Sequence, residues 1–417
     1  MNLLLISLML ISQVQDVNFD DYFLDKTMRV DMYITGNYLE EVISLDEIIE
    51  EGEWAGSKVN LIDYTGYGCE QLRVYDSKTS RMIYSRGFCT LFGEWQTTEE
   101  ARQIKRTFHN SVRFPYPKNP VDVVIASGQK KIFSIHIDPK DYRIRRLNTK
   151  KYQTVDLHKS GDCHKKLDIV ILPEGYSKSE EKKMLKDAER YRDILLSNEP
   201  YKNYADKINI WLVRLFSNDS GVSEPRKGIY KDTALGLTFN TFEIERYLTA
   251  PDNKKVRDAA ANTCYDTIYI MVNTNRYGGA GIFNQWAIFP SDNEYDEYVF
   301  LHEFGHSFGG LADEYYTSKV AYSDFYPKGV EPWEPNITAY LNKDRIKWGD
   351  LISKGVPVPT PEKDEYKDKV GLFEGAGYAA KDLYRPKMDC KMFSKGSIPF
   401  CEVCKRSIEK MILFYSE

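Results

Sequence analysis

Histidine is scarce in this chain, and long apolar runs are absent. Four of the six histidines (His109, His136, His158 and His164) precede residue 302, and none follows residue 306. A histidine-based site is therefore confined to few positions. No stretch approaches the ~20 apolar residues needed to span a bilayer, which argues against a membrane span. Neither sign of charge dominates: 57 Lys and Arg are intermixed with 62 Asp and Glu, for a net charge of −5. Without a basic stripe there is little to neutralise phosphates, so nucleic acid is not an expected partner. Seven cysteines are too few for a disulfide-built scaffold, and their odd number leaves at least one free thiol. Internal repeats and low-complexity tracts are lacking as well.

What is present has the composition of an ordinary folded protein, with 42% hydrophobic and 29% charged residues. A length of 417 residues predicts two domains. Residues 3–11 form a short apolar run like the core of an export signal, the competing reading being a buried first strand. The expectation is a signal peptide over residues 1–15 and a secreted or cell-envelope protein. From residue 27 to 34, Met28, Val30, Met32 and Ile34 alternate with Arg29, Asp31 and Tyr33, the period of a half-buried strand. Strand-like runs at 72–75, 81–84, 121–126 and 131–137 follow, with a short helix near Thr98, so residues 16–145 read as a mainly β, sandwich-like domain. Residues 146–417 read as an α/β domain. There the buried-strand run 167–172 precedes a Ser177/Glu180 capping box and a helix, further strands lie at 208–216 and 265–272, and a polar helix is expected over 241–248. Irregular covering loops are expected over 316–361, and a closing amphipathic helix over 401–415.

The chemistry concentrates in HEFGHSFGGLADEY, residues 302–315. With no breaker before Gly309-Gly310, residues 296–308 should be helical, and His302 and His306, four apart, then share a face and one metal ion. Glu303 lies one residue round, beside the open coordination position, where a general base for peptide hydrolysis is needed. The double glycine lets the chain reverse and return a further ligand. With no histidine remaining, that ligand must be a carboxylate: Asp313 is the first choice and Glu314 the second. Cys401-x-x-Cys404 with Cys390 nearby falls short of a zinc knuckle because no fourth ligand is evident, so a disulfide or packed thiols is expected. The glycine-rich stretch 277–289 reads as an edge strand beside the cleft or a hairpin turn, with Gly279 and Gly281 as candidate substrate contacts. Candidate oxyanion donors by sequence neighbourhood are Tyr315, Tyr316, Tyr378, Tyr384 and Arg385, of which Tyr384 is also a candidate substrate contact.

This motif resembles the active-site segment of the bacterial IgA-peptidase-type zinc metallopeptidases. The likeness extends to SRGFCTLFGEWQTTEEA (85–101), LDIVILPEGY (167–176), NDSGVSEP (218–225), GLFEGAGY (371–378) and YRPKMDCKMF (384–393). It implies an α+β protein in which a sandwich-like N-terminal domain precedes a metzincin-like protease domain. It further implies Zn²⁺ held by His302 and His306, Glu303 as base, and a methionine turn beneath the metal, for which Met392 fits best and Met388 second. The expected activity is that of a secreted zinc endopeptidase acting on protein or peptide substrates. The alternative is a non-catalytic extracellular protein- or glycan-binding protein on the same fold. Oligomeric state is left open.

Overall fold

The computed structural model describes residues 17–317 and 325–417; the expected signal segment lies outside them. A one-turn helix α1 (Phe19–Tyr22) leads into β1 (Phe23–Gly36) and β2 (Glu41–Glu50), followed by β3 (Glu70–Asp76), β4 (Met82–Phe88), helix α2 (Leu91–Gln96), β5 (Arg106–Pro117), β6 (Val121–Ser127), β7 (Lys130–Ile137) and a two-residue β8 (Arg145–Arg146). These strands form two four-stranded sheets, ordered β5-β1-β2-β8 and β4-β3-β6-β7. Met28, Val30 and Met32 of β1, Val74 of β3, Phe114 of β5 and Val123 of β6 meet in one apolar core, joining both sheets face to face. Cys69 and Cys89 form a disulfide beside β3 and β4.

Three expectations for this half change. Strand β1 is not half-buried: Arg29 and Asp31, on the face opposite the core, are fully buried too, because they pack against the rest of the chain. The helix expected near Thr98 is a single 3-10 turn, Glu100–Arg102, whose Ala101 amide donates to the Thr98 hydroxyl, and a further helix, α2, precedes it, capped by Thr90, whose hydroxyl accepts from the Gly93 amide. Strands β2 and β5 escaped the sequence reading.

The second half is built on a six-stranded mixed sheet, ordered β13-β14-β12-β10-β11-β9. Its elements run β9 (Thr154–His158), β10 (Leu167–Glu174), α3 (Glu181–Ser197), β11 (Ile208–Val213), α4 (Asn253–Ala260), β12 (Thr267–Val272), β13 (Ala280–Ile282), β14 (Trp286–Pro290) and α5 (Asp296–Ser307). A hairpin, β15 (Phe373–Ala376) and β16 (Ala379–Arg385), and a closing helix α6 (Glu402–Ser416) complete it. Strands β10, β11, β12 and β14 are parallel, whereas β9 and β13 pair antiparallel at the two edges. The buried run of β10 is apolar on both faces, as a central parallel strand requires. The Ser177/Glu180 capping box forms as expected. Residues 241–248 hold only a distorted 3-10 turn at Thr241–Glu243: Phe242 and Glu243 have φ of 53° and 62°, which a regular right-handed helix does not accommodate, and the regular helix lies later, at α4, capped by Asp252. The result is a mixed α and β protein whose first part is mostly strands. Among the described residues no helix is long and apolar enough to cross a membrane.

Candidate metal centre

Helix α5 carries the motif. Its apolar face lies on the sheet, where Phe300 and Phe304 stack on Tyr269 of β12 at ring-centroid distances of 4.5 and 4.3 Å. At its N-terminus Asp296 accepts from Tyr191 and pairs with Arg190 of α3, placing a negative charge at the positive end of the helix dipole. At its C-terminus Gly310 adopts φ +64°, and a side chain there would press on Trp333, Tyr67 and Phe283. The Gly310 amide bonds the His306 carbonyl and the Leu311 amide bonds that of Gly305, so the chain turns back under the helix. Asn336 then clamps both the N–H and the C=O of Ala312.

That reversal brings Asp313 to the two histidines. Its Oδ1 lies 3.1 Å from His302 Nε2 and 3.3 Å from His306 Nε2, and the two Nε2 atoms are 3.1 Å apart. The rings stand nearly perpendicular. Their other nitrogens fix the tautomer: His302 Nδ1 faces the Lys391 carbonyl at 3.1 Å, and His306 Nδ1 faces the Leu311 carbonyl at 2.6 Å. A carbonyl oxygen only accepts, so each Nδ1 carries its proton, and each Nε2, when the ring is neutral, presents a lone pair. The two Nε2 atoms and the Asp313 Oδ1 therefore face one point. Such an arrangement repels itself unless a cation sits among them. Tetrahedral zinc with bonds of about 2.0–2.1 Å sets its ligand atoms about 3.3 Å apart, so the residues fit that ion.

The electrostatics agree. Burial pulls the His306 imidazole down, but Asp313 and Glu303 outweigh it and hold it at about 9. Asp313 is raised by burial and lowered far more by His306 and His302, ending well below the ordinary carboxylate range. In the protein alone a proton on His306 answers the demand of Asp313 for positive charge; a metal answers all three groups together. Burial raises the Glu303 carboxyl, with His302 and His306 opposing it.

Other candidates fall in different places. Met392 is fully buried under α5, its sulfur so close to Gly305 that a Cβ there would lie 2.8 Å away, and its carbonyl accepts from the Glu314 amide. Met388 is only half-buried. Glu314 turns from the histidines to Asn336 and Cys404. Tyr378 donates to Asp313 Oδ2, and Tyr315 also bonds that carboxylate. Arg385 serves the Glu374 and Gly375 carbonyls and Glu362, while the Tyr316 ring covers Gly375. Tyr384 pairs its backbone with Thr338, and among the described residues no hydrogen bond joins it to the histidines or Asp313. Gly279 and Gly281 lie at edge strand β13, but what they approach closely is α5. A Cβ on Gly279 would come 3.0 Å from Glu303 Oε1, and one on Gly281 2.3 Å from the Glu303 carbonyl. The outward backbone of Gly279 already bonds Arg246 and Leu248.

Sequence reading missed Arg246, whose charge acts on Tyr315, Asp313 and Glu303. It also missed the clamping role of Asn336 and the carbonyls of Lys391 and Leu311. No spacing rule marks them, since Arg246 precedes the motif by more than fifty residues and the carbonyls belong to the backbone.

Two histidines on a helix and one returning acid, all beside Glu303, form a group that could hold a metal ion. Residues 155–367 and 362–412 match the family described as IgA Peptidase M64, and residues 18–135 match the one described as Peptidase M64 N-terminus. The chain belongs to this family, and is accordingly a peptidase of a metallopeptidase family. Comparison with curated proteins returns no match.

Proposed function

We propose that the chain is a zinc-dependent endopeptidase acting on protein substrates, with His302, His306 and Asp313 as metal ligands and Glu303 as general base. The observation that supports it most is the convergence of two Nε2 lone pairs and one carboxylate oxygen, 3.1 to 3.3 Å apart, beside Glu303. Zinc bound there supplies Lewis acidity and lowers the pKa of water towards 7. The chain's own residues do the rest. Lys391 and Leu311 hold the rings in the ligating tautomer. Tyr378 fixes the carboxylate of Asp313, leaving Oδ1 to the centre. Glu303, raised by its surroundings, takes a proton from the attacking water and returns it to the leaving amine.

Residues 16–145 serve as a sandwich-like domain that docks substrate or braces residues 146–417, the metzincin-like catalytic domain. Met392 forms the apolar floor beneath the ligands. Residues 1–15 direct export, in keeping with the Cys69–Cys89 disulfide. The family description makes an immunoglobulin the first substrate to try. Substrate contacts at Gly279, Gly281 and Tyr384 gain no support from the geometry and are left out of this reading.

Purified protein should cleave an unfolded protein substrate in a chelator-sensitive manner. Glu303→Gln should keep the metal while kcat falls by about 10²- to 10⁴-fold. A variant as fast as the parent would remove Glu303 from the mechanism. Metal retention without cleavage of any protein by the parent would point to the non-catalytic binding role.

A further inference from the structure

We infer that Glu314, Cys390, Cys401 and Cys404 form a second metal site, closed and structural, that takes Zn²⁺. Their four ligand atoms lie within 4.8 Å of one another, and all four residues are buried. Three elements contribute. Glu314 follows directly on Asp313, Cys390 opens the turn that carries Lys391 and Met392, and Cys401 and Cys404 lie at the cap and in the first turn of α6.

Distances favour a metal over a disulfide. Cys390 Sγ and Cys404 Sγ are 3.7 Å apart, whereas a disulfide bond is about 2.05 Å long. A tetrahedron with zinc–sulfur bonds of about 2.3 Å has sulfur–sulfur edges of about 3.8 Å. Glu314 Oε1 lies 3.2 Å from Cys404 Sγ, close to the sulfur–oxygen edge of the same tetrahedron.

The carboxylate of Glu314 is a second, independent sign. The residue has no exposed surface, Oε1 receives one N–H from Asn336, and among the described residues Oε2 has no hydrogen-bond partner. Arg385 acts on it at a distance, but its guanidinium is bonded to Glu362 and to the Glu374 and Gly375 carbonyls. To be ionised in this position, the carboxylate would need a cation beside it.

The cysteine inventory fits. Cys69 and Cys89 are bonded, and Cys163 and Cys264 bring their sulfurs to 2.8 Å, a ready second pair. The three that remain make an odd set that pairing alone cannot satisfy, whereas three thiolates and one carboxylate complete a four-coordinate zinc site. Binding releases the three thiol protons, and the excess negative charge meets the positive end of α6. The ion would tie the return of residues 313–314, the Met392 turn and α6 together directly behind the first centre. That centre keeps an open position; this one does not.

The test is metal analysis of protein purified anaerobically without chelator. The parent should hold about two zinc ions per chain and His302→Ala/His306→Ala about one. Adding Glu314→Gln and Cys404→Ser to that variant should leave about none. In case the cysteine variant fails to fold, the His302→Ala/His306→Ala protein exchanged with Co²⁺ should show a thiolate-to-cobalt charge-transfer band in the near ultraviolet. Absence of both zinc and that band in the His302→Ala/His306→Ala protein, or a disulfide mapped within 390, 401 and 404, overturns the site and leaves the proposed peptidase centre standing. About one zinc in the parent and an undiminished one in the histidine variant does the reverse.

Discussion

Asp313 and Glu314 are neighbours in the chain and serve different surroundings, because successive residues of an extended segment point to opposite sides. The sequence narrowed the third ligand to these two acids but not to one, since which side faces the histidines depends on the Asn336 clamp. Asp313→Asn removes the charge while keeping the shape. Its zinc affinity should fall by more than the roughly 10- to 100-fold that removal of a hydrogen-bond partner of a ligand takes, and Tyr378→Phe should fall within that range. Competition with a fluorescent chelator measures both, and equal affinities for the two variants would unseat Asp313 as a ligand. A different carboxyl should link the stability of the N-terminal sheets to pH. Burial, with the Glu41 charge adding to it, raises Glu70 from 4.5 to about 8, and its buried Oε2 has no hydrogen-bond partner among the described residues. The folded state keeps a proton that the unfolded chain loses, so the contribution of Glu70 is complete below about pH 4.5, declines as pH rises, and is lost above about 8. Glu70→Gln should flatten that slope and stabilise the protein by about 1–3 kcal/mol at pH 9. Denaturant midpoints at pH 5 and pH 9 check it; an unchanged pH difference would exonerate Glu70.

At the scale of elements, what local signals dictate was legible. Helix α5 has its breaker at Gly309-Gly310, the turn leading into helix α3 its capping box and strand β10 its apolar run, and all three stand as expected. Elements whose shape depends on distant partners were not. The back face of β1 reads as solvent-facing until α4 covers it, and residues 241–248 read as helix although Phe242 leaves that path to join the N-terminal core. The cysteine trio lacked a fourth ligand on paper because Glu314 comes from 76 positions before Cys390. The glycines of β13 were legible as a close approach but not as an approach to α5. That contact yields a test: Gly281→Ala would put a Cβ 2.3 Å from the Glu303 carbonyl and 2.9 Å from His306 Cβ. Since both neighbours are helix, the strand or α5 must shift. Stability should fall by about 1–3 kcal/mol, as overpacked sites do, and activity should fall further than partial unfolding explains, because His306 and Glu303 move together. Activity kept in proportion to the folded fraction would show that the strand yields instead.

At the scale of the whole molecule, the two cores are bound by more than a linker. Arg113 donates to the Tyr265 carbonyl and lies over its ring, Asn253 bonds Ser111, Asn284 bonds the Gly87 carbonyl, and Ser57 donates to the Glu417 carbonyl near the end of α6. The centre of this contact is Arg29, fully buried in β1, which pairs with Asp31 at 2.9 Å, Glu51 at 2.7 Å and, across on α4, Asp258 at 2.5 Å. Removing the guanidinium leaves the buried Glu51 to Arg113 and Asp31 to the Ser111 hydroxyl, a loss of up to about 3–5 kcal/mol for a broken buried pair. Asp258 is 34% exposed on its side chain, so Asp258→Asn leaves Arg29 its two buried partners and should change stability by only about 1 kcal/mol. With the charge cluster shared, both halves should melt in one calorimetric transition in the parent, and Arg29→Met should lower that transition as a unit, taking peptidase activity with it at the same temperature. If Arg29→Met instead melts the N-terminal sheets early while cleavage persists to the parent's temperature, the halves are independent and Arg29 stabilises only its own sheet.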